Sequence, residues 1–219
     1  MKFVWNMNYP EAEKIPEGMI IWNGNVDGPV AIPGNYFARF KMGKDSSEIA
    51  FTIKADPNYN ASQAEYEEQF NFLLVARDKF TETIMALKNI KEIRSQMTEF
   101  KEKWAADSVK EVTAMMDSIS KKMKEVEEAL HQTKAKSGQD VLNYPIRLND
   151  KLSNVYRNAK AGNGGLSKQV KDAYAVIAGQ IDEQLNKMKS IVDIDVVKLN
   201  QLIREKALPV IGLKKEEKE

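Results

Sequence analysis

Residues 62–104 read SQAEYEEQFNFLLVARDKFTETIMALKNIKEIRSQMTEFKEKW, and this stretch decides the fold. Ser62 and Glu65 match a capping box, in which the serine oxygen accepts a backbone N–H and the carboxylate reaches back to the cap. With no Gly or Pro inside it, the stretch predicts one helix of about 40 residues, roughly 60 Å long. Its apolar residues recur at steps of three and four, which places them on one helix face: Leu73, Ala76, Phe80, Ile84, Leu87, Ile90, Ile93, Met97, Phe100 and Trp104.

Further helical stretches follow this one. A second capping-box pattern, Ser108 with Glu111, is predicted to start the next helix. A third helix is predicted over about 140–161, followed by a fourth and a short final helix. Residues 62–208 are therefore predicted to form an antiparallel bundle of long helices, and 209–219 a charged tail.

Residues 1–57 show a strand-like pattern instead. Residues 36–42 and 48–54 alternate apolar and polar side chains, and 43–46 are typical of a hairpin turn. The predicted fold class is α+β, with a small antiparallel β-sandwich-like N-terminal region before the bundle. Three or four short strands do not cover both of their faces. We therefore expect the sheet to rest on the bundle, on upstream chain or on a second copy.

Composition excludes several kinds of chemistry. The 219 residues contain no Cys and a single His, which excludes thiol catalysis, disulfides and multi-His metal sites. A formal net charge of +1 argues against a nucleic-acid partner, whose binding depends on many cations. No apolar run approaches the roughly 18 residues that span a bilayer. We expect no cofactor and no metal.

Aromatic residues of the N-terminal region are the first candidate site. Trp5, Trp22 and Tyr36 are candidates for a sugar-stacking platform. The alternative is that both tryptophans belong to the core of the β region, since large aromatic side chains supply much of the buried area of small domains.

Charged residues near the third helix are the second candidate site. Arg147 and Asp150 are predicted to form a structural ion pair that ties helices together. The alternative is a glycosidase-type cleft between sheet and bundle, using Arg147 with Asp150 or Asp78, which requires acids that converge on one concave surface. No catalytic set is visible, and the predicted function is non-catalytic.

Several short segments resemble a known family. In their order and spacing they resemble the region that follows the β-propeller in large bacterial proteins with neuraminidase-type (BNR) or sortilin-like repeats, often labelled glycosyl hydrolases. These segments are FVWNMNYP at 3–10, GP at 28–29, PGNY at 33–36, KADP at 54–57, QFNF at 69–72 and NYPIRLNDKL at 143–152.

This resemblance implies an accessory C-terminal region of a glycosyl hydrolase-like protein, without the propeller. It implies an upstream propeller or self-association through the β region as the partner, with a glycan as a further candidate. It also implies a periplasmic or exported setting. Because residues 2–7 already alternate like a strand, we expect the chain to be a piece of a longer protein; the alternative is a natural start that forms an edge strand.

Overall fold

The computed structural model describes residues 3–104, 109–162 and 165–206. Two antiparallel strands precede the helices, so the predicted α+β layout is confirmed. The elements are β1 (Gly34–Met42), β2 (Asp45–Ile53), α1 (Gln63–Lys103), α2 (Lys110–Leu130), a 3₁₀ turn (Gly138–Leu142), α3 (Leu148–Lys160), α4 (Lys168–Ser190), a π-helical segment (Ile191–Val196) and α5 (Val197–Glu205).

The predicted β-sandwich is wrong. Its described strands are only β1 and β2, which pair from Gly34 with Ile53 to Met42 with Asp45. The turn between them includes Gly43, whose φ of +61° favours glycine. Upstream of the hairpin, the described residues form an isolated bridge between Asn8 and Val30 instead of a further strand. Prolines at 10, 16, 29 and 33 explain this, because proline does not donate to a strand ladder.

Residues 3–31 form an irregular segment, here called the strap, that runs along the helices. Its Ala12, Ile21 and Val26 are buried in the same core cluster as the helical side chains. The strap folds back on itself, since the Tyr9 N–H donates to the Pro29 carbonyl over 2.9 Å. Gly28 permits this close approach, because a Cβ at that position would lie 1.8 Å from the Tyr9 carbonyl oxygen.

Helix α1 is the axis of the helical part. It has 41 residues and packs against α2, α3 and α4. Phe80, Ile84 and Ile90 on its apolar face are wholly buried. At its start the Glu65 N–H donates to Ser62 Oγ over 3.3 Å, and the Ser62 N–H donates to Glu65 Oε2 over 2.8 Å.

Two predicted helix boundaries differ from the structure. The predicted 140–161 helix is divided into the 3₁₀ turn and α3, with Pro145 between them. Proline disfavours helical backbone in the residue before it, which explains the division. The fourth helix and the short final helix, predicted as separate, are continuous, because α4 runs through the π-helical segment into α5. None of the described helices is long and apolar enough to cross a membrane.

Candidate functional site

The hairpin presents an apolar face that no described helix covers. Side chains alternate along a strand, so the even-numbered residues of β1 share one face with their partners on β2. On this face, here called the apolar hairpin face, Phe40 and Ile49 are each 68% exposed and Met42 is 67% exposed. No described Cα of either strand lies within 8 Å of a helix Cα. An apolar surface of this kind is typical of an interaction site.

Aromatic side chains cover the base of the apolar hairpin face. Tyr36 and Phe51 are cross-strand partners whose rings stack at 5.8 Å between centroids. Trp5 of the strap lies against both, at 6.3 Å from Tyr36 and 6.4 Å from Phe51. The Tyr36 hydroxyl donates to the Ile32 carbonyl over 2.8 Å, which holds this ring in place.

The three aromatic residues predicted as a stacking platform are not brought together. Trp5 and Tyr36 share the cluster at the hairpin base, but Trp22 lies on the strap beside α3, where its backbone N–H donates to Asp150. Trp5 is 38% and Trp22 50% exposed, so neither belongs to a core. A platform would therefore use Trp5 with Tyr36 alone.

Arg147 and Asp150 do not form the predicted ion pair. Arg147 is exposed at the residue before α3, whereas Asp150 is wholly buried in its first turn. Asp150 Oδ1 instead accepts the Trp22 N–H over 2.8 Å. Burial raises the pKa of Asp150, and the Trp22 hydrogen bond opposes this. Asp78, the other acid considered for a cleft, pairs with Arg77 at 2.6 Å on the exposed side of α1.

The single histidine is part of the same buried region. His131 Nδ1 lies 3.1 Å from the Asn149 side-chain amide nitrogen, and Asn149 Oδ1 accepts the Asp150 N–H over 2.8 Å. Burial, with Lys136 nearby, lowers the pKa of His131 to about 4. At neutral pH the ring is therefore uncharged, and it links the end of α2 to the start of α3.

A polar cleft of about 530 Å³ lies between the strap and α3, and we call it the strap–α3 cleft. Among its lining residues, the described structure leaves Asn25 Oδ1 and Ser153 Oγ buried without a hydrogen-bond partner. A buried polar atom without a partner costs about 1–3 kcal/mol, so such atoms point to a missing contact. The full lining is Asn23, Asn25, Val26, Asp27, Ser153, Tyr156, Arg157, Lys160 and Ala161.

Sequence reasoning missed the strap–α3 cleft. Asn25 sits in a turn-rich stretch and Ser153 inside a helix, and no motif links them. The only available signal was a polar residue, Ser153, in line with the apolar positions Leu148, Leu152 and Val155.

The remaining predicted residues lie at helix ends. Ser62 and Glu65 start α1 with the hydrogen bonds given above. Ser108 lies outside the described residues. Glu111 is in the first turn of α2, where its carboxylate lies 3.6 Å from the Lys206 ammonium.

Within 3–104, 109–162 and 165–206, no three His, Asp or Glu side chains converge as metal ligands would. Comparison with known proteins found no matching family model, no matching curated protein and no matching solved structure.

Proposed function

We propose that this chain is a non-catalytic structural and interaction module. The helical part serves as a rigid support, and the hairpin docks its apolar face on a second protein surface. The observation that carries the proposal is the exposure of Phe40, Met42 and Ile49 on a face that no described helix approaches. The role agrees with the accessory C-terminal region of a BNR-type propeller protein, which the sequence resembles.

The physical argument starts from the marginal stability of an isolated hairpin in water. Burying apolar area contributes roughly 25 cal/mol per Å², so a partner over the apolar hairpin face would stabilise hairpin and complex together. Each strand also has one unpaired edge in the two-stranded sheet. Such edges accept an additional strand, which favours a β-rich partner, either an upstream propeller or the hairpin of a second copy.

Sedimentation velocity over a concentration series tests this role. The Phe40→Ser, Ile49→Ser double variant removes apolar surface from the face, and Lys41→Ser changes the opposite face of the same hairpin as a matched control. We expect the double variant to lose self-association and the control to retain it, with helix content by circular dichroism the same in both.

If the wild-type chain is a monomer in sedimentation, hydrogen exchange tests the proposal instead. If its hairpin amides exchange much faster than those of α1, the hairpin lacks its partner, as proposed. If they exchange as slowly as those of α1, the hairpin is stable alone and the proposal fails. Reproducible hydrolysis of any substrate in a glycoside panel, abolished by a single carboxylate change, would also overturn it.

Carbohydrate binding at the hairpin base is the second candidate. The cluster of Trp5, Tyr36 and Phe51 favours it, since an aromatic face that remains 38% exposed is available for stacking on a sugar ring. Titration of the chain with a glycan panel should change tryptophan fluorescence, and Trp5→Phe should remove the change. Absence of any shift in the wild-type chain removes this candidate.

A further inference from the structure

Two of the three unpartnered buried polar atoms that the structure describes belong to residues that line the strap–α3 cleft. In the part of the chain that the structure describes, the buried side-chain atoms without a hydrogen-bond partner are Asn25 Oδ1, Asp150 Oδ2 and Ser153 Oγ. Asn25 and Ser153 line the cleft from its two sides. Asp150 lies three residues before Ser153 on α3, but it is not among the residues that line the cleft. Asp150 and Ser153 are 0% and 1% exposed.

We propose that the strap–α3 cleft binds a small, hydroxyl-rich molecule of about monosaccharide size. This site is separate from the apolar hairpin face and does not depend on the function proposed above.

The two atoms of the cleft, Asn25 Oδ1 and Ser153 Oγ, define which ligand groups they need. The amide oxygen of Asn25 only accepts hydrogen bonds, whereas the Ser153 hydroxyl both accepts and donates. A ligand that satisfies both atoms has to bring at least one donor. Hydroxyl groups meet that requirement and also accept the Ser153 hydrogen, so a polyol satisfies both atoms.

The rim charges argue against other donor-bearing ligands. Arg157 and Lys160 are two cations beside one acid, Asp27, which disfavours an ammonium ion or a metal cation. Lys160 already pairs with Asp27 at 2.5 Å. The Arg157 guanidinium donates to Asn23 Oδ1 over 2.9 Å and has further N–H groups for a ligand oxygen. A simple anion fits poorly, because the Asn25 oxygen only accepts hydrogen bonds.

The size and rigidity of the cleft fit a single sugar ring. Its volume of about 530 Å³ lies in the range of small-molecule sites. The Tyr156 hydroxyl donates to the Asp27 carbonyl over 2.5 Å, and the Trp22 N–H bond to Asp150 fixes the strap on the other side. A pre-formed wall reduces the ordering cost of binding.

Saturation-transfer NMR with named probes tests the proposal. The probes are D-glucose, D-mannose, N-acetyl-D-glucosamine and myo-inositol. The matched control is per-O-methylated myo-inositol, which has the same ring but no hydrogen-bond donor. We expect saturation transfer from the protein to at least one of the four polyols and none to the methylated compound. Ser153→Ala should weaken the affinity about tenfold, as expected for one lost hydrogen bond in a buried site. Ser118→Ala, on the exposed side of α2, should leave it unchanged.

A thermal melt of the free chain completes the test. If the Ser153 hydroxyl serves a ligand, Ser153→Ala keeps or raises the melting temperature, because it removes an unpartnered polar group. A clear fall in melting temperature would assign the hydroxyl a structural role and overturn the proposal. The proposal would also be overturned if no saturation transfer reached any of the four polyols, or if the Ser153→Ala variant gave the same transfer as the wild-type chain.

Discussion

The hairpin and the helical part use the same kinds of apolar residue with opposite results. On α1, Phe80 and Ile84 are wholly buried, whereas Phe40 and Ile49 on the hairpin are each 68% exposed. Both regions satisfy their own backbone hydrogen bonds, so the difference lies in what covers the apolar face. The helices cover one another, and no described element covers the hairpin tip. Apolar periodicity therefore predicts which side chains share a face but not whether this chain supplies the partner.

The largest expected effect contrasts one phenylalanine from each region. Phe80→Ala should lower the free energy of unfolding by about 3–5 kcal/mol, because it removes buried area and leaves a cavity. Phe40→Ala should change it by less than about 0.5 kcal/mol, as is usual for exposed positions. Urea unfolding followed by circular dichroism measures both. A loss of comparable size for Phe40→Ala would mean that the hairpin tip is buried in solution.

Helix α1 and the hairpin were predictable because their signals are local. The capping box of Ser62 with Glu65 and the uninterrupted apolar stripe lie within the helix they define. Likewise Gly43 marks the turn between two alternating segments. The sandwich prediction was wrong because apolar runs in the strap, such as that at 19–22, pack on helices instead of entering a ladder.

The polar contacts of α3 were not predictable, because they depend on residues that are far from α3 in the sequence. Arg147 and Asp150 are close in sequence, but helix geometry exposes one and buries the other. The partner of Asp150 is a backbone N–H at Trp22, which no side-chain pattern reveals. The strap–α3 cleft was missed for the same reason, since Asn25 and Ser153 meet only in the folded chain.

A second contrast is acid sensitivity, which should be confined to the helical part. The folded pKa of His131, about 4, lies below its ordinary value, so the unfolded chain binds this proton more readily. Stability should therefore fall as pH drops from about 6.5 towards 4, by on the order of 3 kcal/mol in total. Asp150 has a raised folded pKa and acts in the opposite direction at the acid end of this range.

Urea unfolding from pH 7.5 down to pH 4.5 measures the contribution of His131 to the free energy of unfolding, with His131→Gln as the comparison. The variant should show a flatter stability profile, because its amide side chain does not titrate there. The hairpin contains no His, so its amide exchange, corrected for the intrinsic pH dependence, should stay constant over the same range. If the free energy of unfolding depends on pH in the same way in wild type and variant, His131 is not buried as described.

The smallest effect concerns the boundary between the two regions, at the first turn of α1. Ser62→Ala removes the hydroxyl that caps this turn and should cost about 1 kcal/mol, as caps of this type do. Ser62→Thr keeps an equivalent oxygen and should cost far less. The backbone N–H of Ser62, and to a smaller extent its hydroxyl, lower the pKa of Glu65. Ser62→Ala removes only the hydroxyl, so a partial loss of this shift in a titration by NMR would report the missing side-chain hydrogen bond. If Ser62→Ala reduces the shift but leaves the free energy of unfolding unchanged, the first turn unfolds with the hairpin, and the cooperative unit of the helices begins further along α1.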